Sequence, residues 1–226
     1  MMRPFSAILA DAAALKGGDA ILEERIGQVQ PLSRDHLANL PDHRILAEMT
    51  RRIFSAGFSA TVVAAKWSSF EAAFATFDPR ACAALTDDRI TGLAANPDIV
   101  RNRAKIAAIP VNAAFLLALA REHGSAARFV ADRPESDLVG LLRLFKERGR
   151  HLGGDTGMRV LRAIGKPTFI TTKDVVAALT REGVLTRPPS GARDLALVQR
   201  AFNHWSTETG RNFTEISRIL AFSVPP

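Results

Sequence analysis

The chain has 226 residues, 47% hydrophobic and 23% charged, which is enough apolar material for one large domain or two close-packed lobes and argues against disorder. Lys and Arg number 30 against 23 Asp and Glu, a net charge of +7, which suits either a well-solvated surface or a polyanionic partner whose counterions are released on binding. A single cysteine, Cys82, excludes a disulfide framework, the five histidines lack zinc-ligand spacing, and the longest apolar run, 106–120, holds Pro110 and Asn112 and is too short for a bilayer; no membrane role and a reduced cytoplasmic setting are expected.

Apolar residues recur at helical rather than strand period through most of the chain. A first helix is expected over 5–14, stopped at Gly17-Gly18, with Glu23-Glu24 in a solvated helical turn beyond it. Ser33 and Asp35 can cap a short turn. Asp42 is expected as the N-cap of a helix that turns Ile45, Leu46, Met49, Ile53 and Phe54 inward and breaks at Gly57. Helical stretches follow from Ser59 to Trp67, after a Ser68 or Ser69 cap, from Asp78-Pro79, and from Thr86-Asp87-Asp88 to Asn96-Pro97. The spacing then predicts one long helix from about 98 to His123, bent at Pro110 and ended by Gly124. Further helices are expected from Ser136-Asp137 to Gly149, over 156–164 before Gly165, from Thr172 to Gly183, over 192–207 and over 213–220.

The most informative local feature is the loop Gly149-Arg150-His151-Leu152-Gly153-Gly154-Asp155-Thr156-Gly157 between two of these helices. Its glycines permit positive φ and close backbone approach, and the free N–H groups opening the second helix favour an anion. Leu152 is placed to fill the gap between the helices. Gly153, Gly154 and Thr156 would then face a phosphate, with Arg148, Arg150 and Arg159 nearby. An ordinary helix–turn–helix connection fits the same residues, and Asp155 competes with a phosphate for the same donors.

Several motifs recur in order between 55 and 117: Ser55-Ala56-Gly57-Phe58-Ser59, Phe70-Glu71-Ala72-Ala73-Phe74, Phe77-Asp78-Pro79, Thr86-Asp87-Asp88-Arg89-Ile90, and Ile99-Val100-Arg101-Asn102-Arg103-Ala104-Lys105-Ile106. This resembles the 3-methyladenine DNA glycosylase I family, with its AGLSW motif, its aromatic helix ending in F-D-P, its acidic D-x-x-x-L turn and its I-I-R-x-R-x-K-I run. The resemblance is close over about 65 residues and looser over 41–174. It implies an all-α fold of two packed helical lobes, carrying a helix–hairpin–helix DNA-binding module, with a base-sized cleft between the lobes. Lobe A would cover about 41–135, and lobe B about 136–226 with residues 1–40 packed on it. The partner implied is double-stranded DNA with a damaged base, bound by a monomer at the nucleoid.

A glycosylase extrudes its target base and fills the gap with an apolar wedge. By the resemblance Phe58, at the Leu of AGLSW, is the wedge or else a core residue, and Arg101, Arg103 and Lys105 are either phosphate contacts or a solvated helix face. The departures are as informative. Four zinc-binding cysteines and histidines near the family's chain ends have no counterpart, so no zinc cofactor is expected, and helix packing by the chain's terminal segments would take over that role. Arg52 stands at the family's pocket glutamate and Ala60 at its motif tryptophan, and the chain has no tyrosine. An Arg accepts no hydrogen bond from an adenine amino group. Base stacking would fall to Phe54, Trp67, Phe202 or Trp205, each of which also fits a core. Glu48 and Asp174 are the candidate carboxylates for the positive charge that develops at the sugar. Two functions stay open: a monofunctional hydrolase releasing an alkylated purine, and a non-catalytic DNA-binding protein on the same fold.

Overall fold

Local capping decides where many of these helices begin. Ser33, Asp78, Thr86, Asn102, Ser125, Thr172 and Asn212 each accept a backbone N–H from the first turn that follows, which satisfies donors that have no intrahelical partner. The computed structural model describes residues 2–225 and contains, among them, only helices and loops. The helices are α1 (Phe5–Lys16), α2 (Asp19–Gly27), α3 (Arg34–Ala38), α4 (Asp42–Ser55), α5 (Ala60–Ala65), α6 (Trp67–Ala73), α7 (Pro79–Ala83) and α8 (Asp87–Ala95). They continue with α9 (Arg103–Ile106), α10 (Ala108–His123), α11 (Ala126–Asp132), α12 (Leu138–Arg148), α13 (Asp155–Ala163), α14 (Lys173–Arg181), α15 (Ala192–Thr209) and α16 (Phe213–Phe222). Two 3₁₀ turns, Ala75–Phe77 and Glu135–Asp137, complete the set.

The long helix expected from 98 to His123 is not one helix. Residues 96–102 are non-helical, α9 is a single turn capped by Asn102, and α10 starts afresh at Ala108. Pro110 therefore lies in the first turn of α10, where its missing N–H has no acceptor to lose, and it bends nothing. The stretch 103–123 is apolar and long enough to cross a bilayer by composition, but Ala108, Ile109, Ala113, Phe115, Leu116 and Leu119 are buried against the rest of the protein. Asp42 is the first helical residue of α4 rather than its cap, and neither Ser68 nor Ser69 caps α6, which begins at Trp67. Two helices escaped the sequence reading, α2 as a full element and α11 altogether.

The chain divides into two units. One comprises Ser33–Arg133 and Leu141–Ile164, the other the residues up to Leu32, Pro134–Gly140 and Gly165 onward. The hairpin segment, assigned from sequence to the C-terminal lobe, thus goes with residues 33–133. In that unit Trp67 stacks on Phe77 at 5.2 Å, Phe77 on Phe74 at 5.8 Å and Phe74 on Phe70 at 6.1 Å, while Phe70 meets the edge of Phe54 at 4.8 Å. Ala75, Thr76 and Phe77 all have positive φ, which costs backbone strain and returns Phe77 to the column.

The other unit is built on Phe5, Phe169, Phe202, Trp205 and Phe213, all fully buried. Arg3 donates from Nε and Nη2 to the Glu182 carboxylate at 3.1 and 2.7 Å, and Arg181 Nε donates to the same carboxylate at 2.8 Å. Burial alone would raise the Glu182 pKa; the hydrogen bonds from Arg3 and Arg181 outweigh it and hold the carboxyl below its ordinary value. Asp11 bridges to both arginines, and Arg181 also donates to Ser223. This network fastens the N-terminal segment, the end of α14 and the C-terminal segment together.

Candidate nucleic-acid interface

The hairpin between α12 and α13 is tight for identifiable reasons. Leu152 is buried between the helices. A Cβ on Gly149 would lie 2.5 Å from Leu152 Cδ1 and 2.7 Å from the Phe145 carbonyl oxygen, and a Cβ on Gly157 would lie 2.4 Å from the Leu152 carbonyl oxygen. Both positions therefore require glycine for close approach. Gly154 is the N-cap of α13 with φ +58°, and no side chain caps the helix there. Gly153 needs no glycine for space, since a Cβ would meet only Lys146 at ordinary contact distance. His151 holds φ +59°, uncommon for a non-glycine residue, and its side chain is exposed.

Asn112, buried on α10, fixes the start of the hairpin. Its Oδ1 accepts from the Arg150 N–H at 2.7 Å and its Nδ2 donates to the Arg150 carbonyl at 3.1 Å. A side-chain amide carries an acceptor oxygen and a donor NH2 side by side and so serves both backbone atoms at once.

Between this hairpin and the end of α4 lies an open recess of about 270 Å³, lined by Ile53, Ala56, Lys105, His151, Gly153 and Thr156. Its wall on the α4 side ends in the tip Ala56-Gly57-Phe58. Gly57 turns the chain with φ +94°, and Phe58 stands 38% exposed, one of the few large apolar side chains left in solvent. Lys105 is not a free surface cation. Its Nζ donates to the Ile53 carbonyl at 2.8 Å, to the Ala56 carbonyl, and more weakly to the Phe54 carbonyl at 3.5 Å. It also lies 4.9 Å from the Phe58 ring centroid. Burial lowers the Lys105 pKa. Its donors are committed to the C-terminal carbonyls of α4, which corrects the expectation of a phosphate contact. Arg101 and Arg103 are exposed.

The residues expected to form a base pocket are arranged differently. Phe54 is fully buried, and Trp67 sits in the aromatic column with its Nε1 donating to Glu71 and the Arg51 guanidinium 4.2 Å from its ring centroid. Neither offers a face to a base. Phe202 and Trp205 belong to the core of the other unit and are likewise unavailable. Arg52 is half-buried, its Nη2 3.2 Å from Glu48 Oε2, and Arg51 Nε is 3.8 Å from Glu48 Oε1. Glu48 is thus a carboxylate one helical turn before Arg52 on the same face, paired with two cations. Ala60 opens α5 and is exposed. Asp174 is exposed in the first turn of α14, behind the Thr172 cap and in the other unit.

The zinc ligands that the resemblance implies have no equivalent in the donor set. Cys82 is buried, its thiol pKa pushed up to about 12 by burial and by Asp78, and its Sγ donates to the Phe74 carbonyl. Among the described residues no three of His, Cys, Asp and Glu come together to hold a metal. The residues present do not fit the group.

The fold and hairpin define a class. The helical architecture matches that of a Methanocaldococcus jannaschii 8-oxoguanine glycosylase/lyase solved with DNA containing 8-oxoguanine, at a TM-score of 0.53 and 12% identity, over 96% of each chain. This is the fold of the helix–hairpin–helix DNA glycosylases. Residues 38–138 match the model of the methyladenine glycosylase family. A 3-methyladenine DNA glycosylase I variant solved with 3-methyladenine is similar at 24% identity and a TM-score of 0.50, covering 61% of this chain and 80% of that one. Another 3-methyladenine DNA glycosylase I is 27% identical over 54% of this chain and 78% of its own, with a TM-score of 0.48.

The sequence reading passed over Asn112 and His151. Asn112 carried a signal, a polar residue in the middle of an apolar helix, but nothing local names its partner. His151 could have been singled out as the bulky residue inside a glycine-rich turn.

Proposed function

We propose that this protein is a base-excision glycosylase that acts as a monomer on double-stranded DNA in the cytoplasm and releases an alkylated, cationic purine. The observation that supports this most directly is the juxtaposition of the uncapped α13 N-terminus with the recess and the exposed Phe58 tip. In this reading a backbone phosphate lies against the N–H groups at the start of α13, where the helix dipole favours negative charge. The Thr156 hydroxyl adds to its hold. Phe58 enters the stack where the damaged base has left. The N-glycosidic bond then breaks with its electron pair moving onto the purine, which loses its positive charge. Water captures the sugar cation at C1′ and gives up a proton. Glu48 is the carboxylate proposed to face the sugar's developing charge, and Asp174 is the alternative.

Arg52 shifts the substrate range. It cannot accept from an adenine amino group and repels a cationic ring, so recognition of 3-methyladenine by a carboxylate at that position is lost. The pairing of Glu48 with Arg51 and Arg52 favours a second reading, a DNA-binding protein on this fold that releases no base, because it leaves that carboxylate already neutralised.

Purified protein incubated with methylated duplex DNA separates the two. Release of free methylpurine above background, reduced at least about tenfold by Glu48→Gln or by Asp174→Asn, supports the enzyme and identifies its carboxylate. Salt-sensitive duplex binding with no released base at high protein concentration supports the binder.

A further inference from the structure

We propose that Lys105 is a positioning residue that holds the Phe58 tip in the attitude needed to enter a DNA stack. This rests on the base-extrusion reading above and adds a latch to it.

The tip follows directly from the end of α4. A helix end leaves carbonyl groups without partners, and here Gly57, with φ +94°, sends the chain away in a sharp turn. The Ala56 N–H still bonds back to Arg52, and the carbonyls of Ile53 and Phe54 in the last turn and of Ala56 just beyond it accept from another segment. The Lys105 ammonium reaches them from a segment about fifty residues further along and donates to all three. Asn102 caps the single turn of α9 by accepting from the Lys105 N–H at 3.0 Å, so the backbone of Lys105 is itself fixed.

The same ammonium lies 4.9 Å from the Phe58 ring centroid and 5.9 Å from that of Phe54. One cation therefore ties together the helix end, the buried ring before the turn and the exposed ring after it. Beyond the turn lies α5, a helix of six residues, and without the lysine an exposed Phe on a glycine hinge would sample many orientations. A wedge must enter the stack in one orientation, and each alternative it samples lowers the competent fraction. A solvated lysine would leave the tip free. A lysine bound to a phosphate would hold the DNA but not the wedge. Bonding to three carbonyls while touching the ring is the arrangement a latch requires.

The test uses the full chain and a duplex carrying 2-aminopurine next to a tetrahydrofuran abasic site, whose fluorescence rises when the neighbouring stack is opened. At saturating protein the wild type raises the signal and Phe58→Ala does not. Lys105→Met is expected to lose the rise to the same extent, and the double variant to read the same as Phe58→Ala alone, as two residues acting through one contact must. The slope of log affinity against log salt is expected to be unchanged in Lys105→Met, whereas a lost phosphate contact would reduce it by about 0.9.

A wild-type rise in Lys105→Met or a reduced salt slope overturns the latch. No rise with the wild type removes the extrusion reading itself. Should Lys105→Met fail to fold by circular dichroism, Lys105→Gln, which keeps two N–H donors but no charge, takes its place with the same expected loss.

Discussion

Gly157→Ala tests the hairpin most sharply. The new Cβ would lie 2.4 Å from the Leu152 carbonyl oxygen, and ordinary contact begins at 3.4 Å, so backbone must retreat by about 1 Å. Leu142 Cδ2, at 3.4 Å on the other side, leaves little room to turn away. Overpacking of this kind costs about 1–3 kcal/mol, and the better helix propensity of alanine returns about 1 kcal/mol, so a net loss between zero and about 2 kcal/mol is expected. The movement also carries the first turn of α13 away from the place where its N–H groups would meet a phosphate. Loss of one charge-assisted hydrogen bond, at about 1.5 kcal/mol, corresponds to roughly a tenfold weaker Kd. Urea unfolding gives the stability and fluorescence anisotropy with a short duplex gives the Kd. Gly153→Ala is the stability control: its Cβ meets only the Lys146 side chain, at 3.4 Å and beyond, so its unfolding should stay near wild type. Wild-type stability and Kd in Gly157→Ala would refute the argument that this glycine sets the hairpin's closeness.

Asn112→Ala removes both partners of the Arg150 backbone and should cost about 1–3 kcal/mol in urea unfolding; Asn112→Asp keeps the acceptor alone and should be intermediate at neutral pH. Glu182→Gln leaves Arg3 and Arg181, both partly exposed to solvent, facing a neutral amide and should cost about 1–2 kcal/mol. Because the native Glu182 pKa is lowered, the wild-type advantage over Glu182→Gln should be complete above about pH 4.5 and disappear as pH falls through the depressed native value, which paired melts across that range will read. Arg101→Ala and Arg103→Ala should each flatten the plot of log affinity against log salt by about 0.9, and unchanged slopes would return both residues to a solvated face.

Features that depend on neighbours within a few positions are legible in the chain. Helical periodicity marked α4, α12, α14 and α16, and glycine stops marked the ends of α1 and α10. Leu152 between glycines was enough to place a buried residue at a tight hairpin. These are legible because a cap or a left-handed stop acts over three or four residues. The same locality misled at Pro110, where an apolar run on both sides of the proline looked like one bent helix and the Asn102 cap was passed over.

Tertiary structure decided which way each candidate side chain was spent. Phe54 and Trp67 have the composition of a base pocket and the position of a core, and only the return of Phe77 by three left-handed residues closes that core over them. Lys105 reads as a surface cation in a basic run until the end of α4 is brought to it. Asn112 finds Arg150, and Arg3 finds Glu182, across sequence separations of 38 and 179 residues. A pattern in the chain records which groups need partners; the packing of distant segments selects the partner, because the hydrogen bond or the buried ring is worth its energy only where two surfaces meet.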